Sequence, residues 1–282
     1  MNEPFPGSNY PVALFGGSFF ATQQLTPPMY NQVAAAIRSV DGTTPPLYLE
    51  PPNPPAVTEV PPTLLGIPIA LLGKVTDPNY VLAFHNYCGP IGGALCTKIA
   101  NTLAVQAANY SKRHNVPAMM NEFGATNDID TLTKEMQSGD RYFMSWADWA
   151  YTGVGDITGS PDVEALVWDP AKDPPTGDNV NIGNLLTLGS PYPQLVSGTP
   201  KKWSFTNGTF TFAYSTAKVD GSGTFADGAL TTISVPQVEF PNGYAVTVTG
   251  GHVVSAANAA QLVIASDSGA TAITVVVTPP AP

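Results

Sequence analysis

Glu3 and Glu122 are the residues of this 282-residue chain best suited to act together, because each carries a carboxyl group, Glu122 at the end of an apolar run and Glu3 in the stretch Met1-Asn2-Glu3-Pro4-Phe5-Pro6-Gly7. Two carboxyls of one residue type can divide a reaction between proton donor and nucleophile only if their surroundings push their proton affinities apart. Burial and negative neighbours raise the acid, while hydrogen bonds from a group such as the Tyr87 phenol favour the ionised nucleophile. An α-amino group at Met1, with an ordinary pKa of about 7.7, would fall two residues from Glu3, and its positive charge would oppose the raised value an acid needs.

The other chemistry-bearing residues narrow the field. The only histidines are His85, His114 and His252, and none pairs with another at i+3 or i+4, so no metal-ligand spacing exists and the chemistry is expected to need neither metal nor cofactor. Cys88 and Cys96 lie eight apart in a Gly-rich stretch, a spacing compatible with a small disulfide or with two free buried thiols. Gly89-Pro90-Ile91-Gly92-Gly93 lacks the Lys and Ser or Thr that a phosphate cradle requires.

Charge excludes one partner class. With 21 acidic against 11 basic residues, a net charge of -10 and no basic cluster, the chain would repel nucleic acid. The most apolar stretch, Leu64 to Leu72, is about half the roughly 20 residues a membrane helix needs and is interrupted by Pro68, so no transmembrane segment is expected. The first ten residues offer no basic start or apolar core of a secretory signal.

The elements that must position these side chains follow from periodicity. Residues Thr26 to Val40 carry Val33, Ile37 and Val40 as apolar positions at helical spacing, and Pro45-Pro46 ends that helix. Leu47-Tyr48-Leu49 then reads as a strand closed by Glu50, whose carboxylate is open to substrate contact or to an ion-paired role. Tyr80 to Phe84 is a second strand leading into His85-Asn86-Tyr87. A helix over Lys98 to Arg113, with Ile99, Leu103, Ala107 and Tyr110 on one face, precedes the strand Val116 to Met120, which runs into Asn121-Glu122. A further helix over Asp128 to Gln137 precedes Tyr142 to Trp146, which leads to Asp148 and Trp149. Continuous apolar strands separated by helices predict a parallel sheet buried on both faces, and the strand ends near Glu3, Glu50, Tyr87, Glu122 and Trp149 are where a (β/α) barrel gathers its site.

Beyond about Ser190 the period changes to two. Trp203 and Phe205, Phe210 to Tyr214, Tyr244 to Val248 and Ile273 to Val277 alternate with polar residues, and Asn207-Gly208 and Asn242-Gly243 supply turns. The length supports two domains, an α/β domain over 1–189 and a small all-β sandwich over 190–282.

Four segments in order, MNEPFPG, FHNYC at His85, MNEFGATND at Glu122 and WADWAYTG around Trp149, followed by the β-module with SPYPQ at its entry, resemble the retaining glycoside hydrolases of family 5, most closely the endoglycoceramidase-like members. The resemblance implies the C-terminal portion, about five of eight βα units, of a TIM (β/α)8 barrel followed by the sandwich. The family's barrel begins three strands before the Asn-Glu-Pro motif. It implies Glu3 as general acid/base and Glu122 as nucleophile of a double displacement, with carboxyls about 5 to 5.5 Å apart. Asn2 would bond the sugar 2-hydroxyl, Tyr87 would orient Glu122, His85 would line the site, and Trp149 would stack under the sugar, whereas Trp146 is expected in the core.

The implied substrate is a β-glucoside, an oligosaccharide-ceramide or a β-glucan, and the implied compartment is extracellular or the cell envelope. An apolar loop at Leu64 to Leu72 favours a lipid aglycone or simply caps the barrel. An open five-stranded sheet exposes edges, so self-association through them is expected. The rival expectation is an inactive N-terminally truncated fragment whose β-module is structural or carbohydrate-binding.

Overall fold

A computed structural model describes residues 26–51, 75–88, 93–156 and 161–281. The chain divides into two compact units, Met1–Asn181 and Ile182–Pro282.

In the first unit, α1 (Thr26–Val40) is followed by β1 (Leu47–Leu49), β2 (Tyr80–Asn86), α2 (Gly93–His114), β3 (Ala118–Gly124), α3 (Ile129–Asp140) and β4 (Ser145–Trp149). The four strands lie side by side in chain order, every pair parallel. In β2 every residue from Tyr80 to Phe84 is buried whichever way it points, as a strand covered on both faces requires.

α2 buries the face its spacing predicts, whereas α1 buries Tyr30 and Ala34 and leaves Val33 and Val40, two of its three expected apolar positions, exposed. Ile99, Leu103, Ala107 and Tyr110 of α2 are buried, and Lys112 and Arg113 lie in its last turn, where cations complement the helix dipole. This helix begins at Gly93, earlier than its apolar period alone suggests, because Cys96 and Ala100 extend the buried face. Asn115, at φ +53°, then takes the left-handed conformation that ends a helix, with Pro117 two residues on. At α3 the Asp128 side chain caps the first turn by accepting from the Thr131 amide at 2.7 Å.

One strand is displaced from its expected position. Tyr142 and Phe143 form a turn instead of starting β4, because their amides bond back to Gly139 and Asp140 and Phe143 adopts φ +56°. The strand therefore starts at Ser145 and carries Asp148 and Trp149 within it. Among the described residues no helix is long and apolar enough to cross a membrane.

The second unit opens with a short helix, α5 (Ile182–Leu188), numbered after α4 (Pro161–Glu164) in the first unit. Its strands are β5 (Tyr192–Leu195), β6 (Thr199–Thr206), β7 (Thr209–Ser215), β8 (Leu230–Ser234), β9 (Ala245–Thr249), β10 (Gly251–Val253), β11 (Gln261–Ser266) and β12 (Ala272–Thr278). They form two antiparallel sheets, ordered β10-β11-β8-β5 and β6-β7-β12-β9. Alternate residues of both sheets share one core, with Ile233, Leu262 and Ile264 from the first and Phe210, Phe212, Tyr214, Ile273, Val275 and Val277 from the second. Asn207-Gly208, at φ +50° and +71°, makes the tight turn between β6 and β7, since only such residues take positive φ cheaply.

Candidate active site

The site is built at the carboxyl end of the parallel sheet, where β1, β2 and β3 bring together residues distant in sequence. His85, on β2, is in register with Glu122 on β3. Its Nδ1 lies 2.7 Å from Glu122 Oε2, and its Nε2 lies 3.1 Å from Oε1 of Glu50, the residue after β1. The same Glu50 oxygen accepts from Asn121 Nδ2 at 2.7 Å. All three ionisable side chains are largely withdrawn from water, at 7% exposure for His85, 9% for Glu50 and 13% for Glu122.

A β-bulge makes this cluster possible. Successive residues of a regular strand point to opposite faces, so Asn121 and Glu122 should not share a network. The pairing with β2 steps from Phe84↔Met120 to His85↔Glu122, and that with β4 steps from Met120↔Trp146 to Phe123↔Asp148. In both ladders β3 carries one residue more than its neighbour, and a bulge of that kind re-aims a side chain. Asn121 thus reaches Glu50 while Glu122 meets His85.

The electrostatics follow from this packing. Burial by itself would lower the affinity of His85 for its second proton, but hydrogen bonding and charge from Glu122 and Glu50 outweigh it and push the pKa up to about 10. Tyr30 on α1 donates its hydroxyl to the backbone oxygen of Glu50 at 2.9 Å, and burial, helped by the Glu50 charge, pushes that phenol up to about 12.

Tyr87 directly follows β2, and its ring stands edge-on to His85 with centroids 6.2 Å apart. Trp149 ends β4 opposite Gly124, donates Nε1–H to Asp156 at 2.9 Å, and is joined to Ala150 by a cis peptide bond. Trp146, expected in the core, is only half-buried; it packs edge-on against Phe123 at 5.4 Å and donates to Asp140 at 2.9 Å. Asn2, Glu3 and the apolar stretch from Leu64 to Leu72 lie outside the described residues.

Below the strand ends lies a support whose members periodicity did not single out. Glu135, on the buried face of α3, accepts the Cys88 amide at 2.6 Å and the Gly124 amide at 3.0 Å. Burial pushes it up to about 8 against the pull of those two donors, with the Asp148 charge adding to the rise. Burial likewise pushes Asp148 up to about 7. Cys88 and Cys96 form a disulfide, which settles the alternative their spacing left open. These two sulfurs and Glu135 lie close together, but disulfide sulfurs are poor metal ligands and the carboxylate is occupied by two amides. No metal centre is drawn from them.

The chain is similar in sequence and in fold to known proteins. Residues 191–277 match the glycoside hydrolase family 5 C-terminal domain. Endoglycoceramidase I of Rhodococcus hoagii strain 103S is 28% identical to the chain, over 95% of the chain and 50% of that protein. Endo-glycoceramidase II from Rhodococcus sp. superposes with a TM-score of 0.70 at 24% identity, covering 100% of this chain and 59% of its own. Sterylglucosidase 1 of Cryptococcus neoformans shares the fold at a TM-score of 0.65 and 13% identity, over 92% of this chain and 45% of that one. The chain thus spans about half the length of the curated relative it matches. The resemblance read from the four motifs, to family 5 and its endoglycoceramidase-like members, is borne out.

Proposed function

We propose that the parallel sheet is the C-terminal portion of a (β/α)8 barrel, about five of its eight βα units, and that it carries the nucleophile of a retaining β-glycosidase. The observation that carries this reading is Glu122 at the carboxyl end of a parallel strand, paired at 2.7 Å with a buried imidazole. Glu122 attacks the anomeric carbon, the bond to the glycosidic oxygen breaks, and Glu3 gives that oxygen its proton. Water then attacks the glycosyl ester, Glu3 takes the water's proton, and Glu122 leaves as carboxylate. The imidazole beside Glu122 supports the second half, since a positive neighbour makes Glu122 a better leaving group. Asn2 bonds the 2-hydroxyl, His85 and Tyr87 flank the nucleophile, and Trp149 offers its face to the apolar side of the sugar.

The substrate class proposed is a β-glucoside linked to a lipid, an oligosaccharide-ceramide, with β-glucan the other member of the class. In its favour are the endo-glycoceramidase II structures of a lactosyl-enzyme intermediate and a ganglioside GM3 complex. Action outside the cell or at its envelope and self-association through the sheet edges belong to the same proposal.

The test is hydrolysis of a fluorogenic β-cellobioside and of ganglioside GM3 by the full chain and by Glu122→Gln. A fall of at least ~10³-fold in kcat for the variant is expected. Equal activity in both would remove Glu122 from the chemistry.

A further inference from the structure

His85 is bonded at both ends by groups that only accept. Its Nδ1 is 2.7 Å from Glu122 Oε2 and its Nε2 is 3.1 Å from Glu50 Oε1. An ionised carboxylate has no proton to donate, and a neutral imidazole has only one, so satisfying both contacts requires protons on both nitrogens. The ring is therefore an imidazolium between two carboxylates, and the whole row is nearly shielded from water.

Glu50 is in turn fixed from two sides. Asn121 donates to Oε1 at 2.7 Å, which is possible only because of the bulge in β3, and the Tyr30 hydroxyl binds the Glu50 carbonyl at 2.9 Å. A carboxylate held this firmly, beside an imidazole rather than facing open solvent, does more than fill space.

We propose that Glu50 is a positioning residue of the hydrolytic site: it holds His85 doubly protonated and in one ring orientation, so that Nδ1–H aims a single oxygen of Glu122. The proposal deepens the reading of Glu122 as nucleophile and rests on it for its consequence in catalysis. Glu50 itself touches no reacting atom in this account. Among the described residues, the ionisable groups around the ring are Glu50 after β1, Glu122 on β3, Tyr87 after β2, and Tyr30 on α1 behind Glu50.

A structural role and a positioning role differ in what they do to the proton on His85. Replacing Glu50 by Gln keeps length and an oxygen acceptor but removes the charge, whereas Asp keeps the charge and withdraws it. The experiment follows the ring nitrogens of His85 by NMR across pH in the full chain labelled at histidine, with His85→Asn assigning the signal among the three histidines.

In the native chain His85 should stay doubly protonated to about pH 10. In Glu50→Gln its midpoint should fall by at least about one unit, a tenfold rise in acidity, with Glu50→Asp between the two. Turnover of the β-cellobioside should fall roughly 10- to 100-fold in kcat with KM within about twofold, and the alkaline limb of its pH profile should move down with the His85 midpoint.

An unmoved His85 midpoint in Glu50→Gln overturns the proposal, whatever happens to turnover. If that variant does not fold, the same midpoint in Glu50→Asp decides, and an unchanged value again overturns it. A midpoint that moves in a chain showing no hydrolysis, native or variant, upholds the charge relay and removes the hydrolase reading instead.

Discussion

Glu135 on α3 and Gly124 at the end of β3 are joined by a buried hydrogen bond, the Gly124 amide donating to Oε2 at 3.0 Å. The other oxygen takes the Cys88 amide just beyond β2. One carboxylate therefore ties together the ends of the strands that bear His85 and Glu122. Glu135→Gln presents an amide NH2 where an acceptor is needed, so one buried N–H loses its partner. A loss of about 1–3 kcal/mol is expected, measured by urea unfolding at neutral pH.

Gly124 has a second constraint. Its φ is +95°, and a β-carbon added there would meet the Asp148 carboxylate and lie 3.3 Å from the Trp149 carbonyl oxygen. Gly155 has a similar φ of +83° with nothing within 4 Å of the added atom. Gly155→Ala should cost only the backbone strain, about 1 kcal/mol, whereas Gly124→Ala should cost that and more, because the Asp148 carboxyl must move aside. Unfolding midpoints of the two variants compare them directly, and equal losses would mean that the Asp148 side chain yields freely.

Stability should fall as the solution becomes more alkaline. Burial raises Asp140 and Asp148 to about 7 and Glu135 to about 8, and His85 is raised to about 10 by its carboxylate partners against its burial. In each case the folded value exceeds the unfolded one, so the folded state holds the extra proton. That stability is full below the unfolded pKa and is lost as pH rises through the folded one. The carboxyls act from about pH 4 to about pH 8 and His85 from about 6.5 to about 10, each by at most about 1.4 kcal/mol per pH unit. The thermal midpoint should therefore drop between about pH 5 and about pH 9, less steeply in Glu135→Gln. Below about pH 4 the trend reverses, because Asp77, bonded to Arg38, and Asp128, bonded to the Thr131 amide, are held below the usual range. A flat profile through neutrality would contradict these burials.

The Cys88–Cys96 bridge closes a short loop of sequence separation 8 between the end of β2 and the first turns of α2. Loop-closure entropy assigns such a bridge roughly 2–3 kcal/mol. Replacing both cysteines by Ser should lower unfolding free energy by that amount, and reducing the native chain should reproduce it. A loss well below 1 kcal/mol would show that the surrounding packing already holds the loop.

The amino-acid sequence determined what depends on near neighbours. Apolar positions at helical spacing gave α1 its bounds and α2 its buried face, alternation gave the sandwich strands, and Asn207-Gly208 gave their turn, because each is decided by backbone preference and by which side of one element is apolar. The motif around Glu122 was likewise readable from its own residues. Glu50, His85 and Asn121 were each visible at strand ends, but their meeting was not.

Tertiary structure decided that meeting. Glu50 and His85 are 35 residues apart and Glu50 and Asn121 are 71 apart, and they touch only because parallel pairing sets the register and a single bulge turns Asn121 onto the face of Glu122. Glu135 was hidden for the same reason: on a helical wheel it is one acidic residue between Leu132 and Met136, and only the strand ends above it supply the two amides that make its burial tolerable. Patterns along the chain record which surface is buried, whereas hydrogen bonds across it depend on positions fixed only when the sheet has assembled.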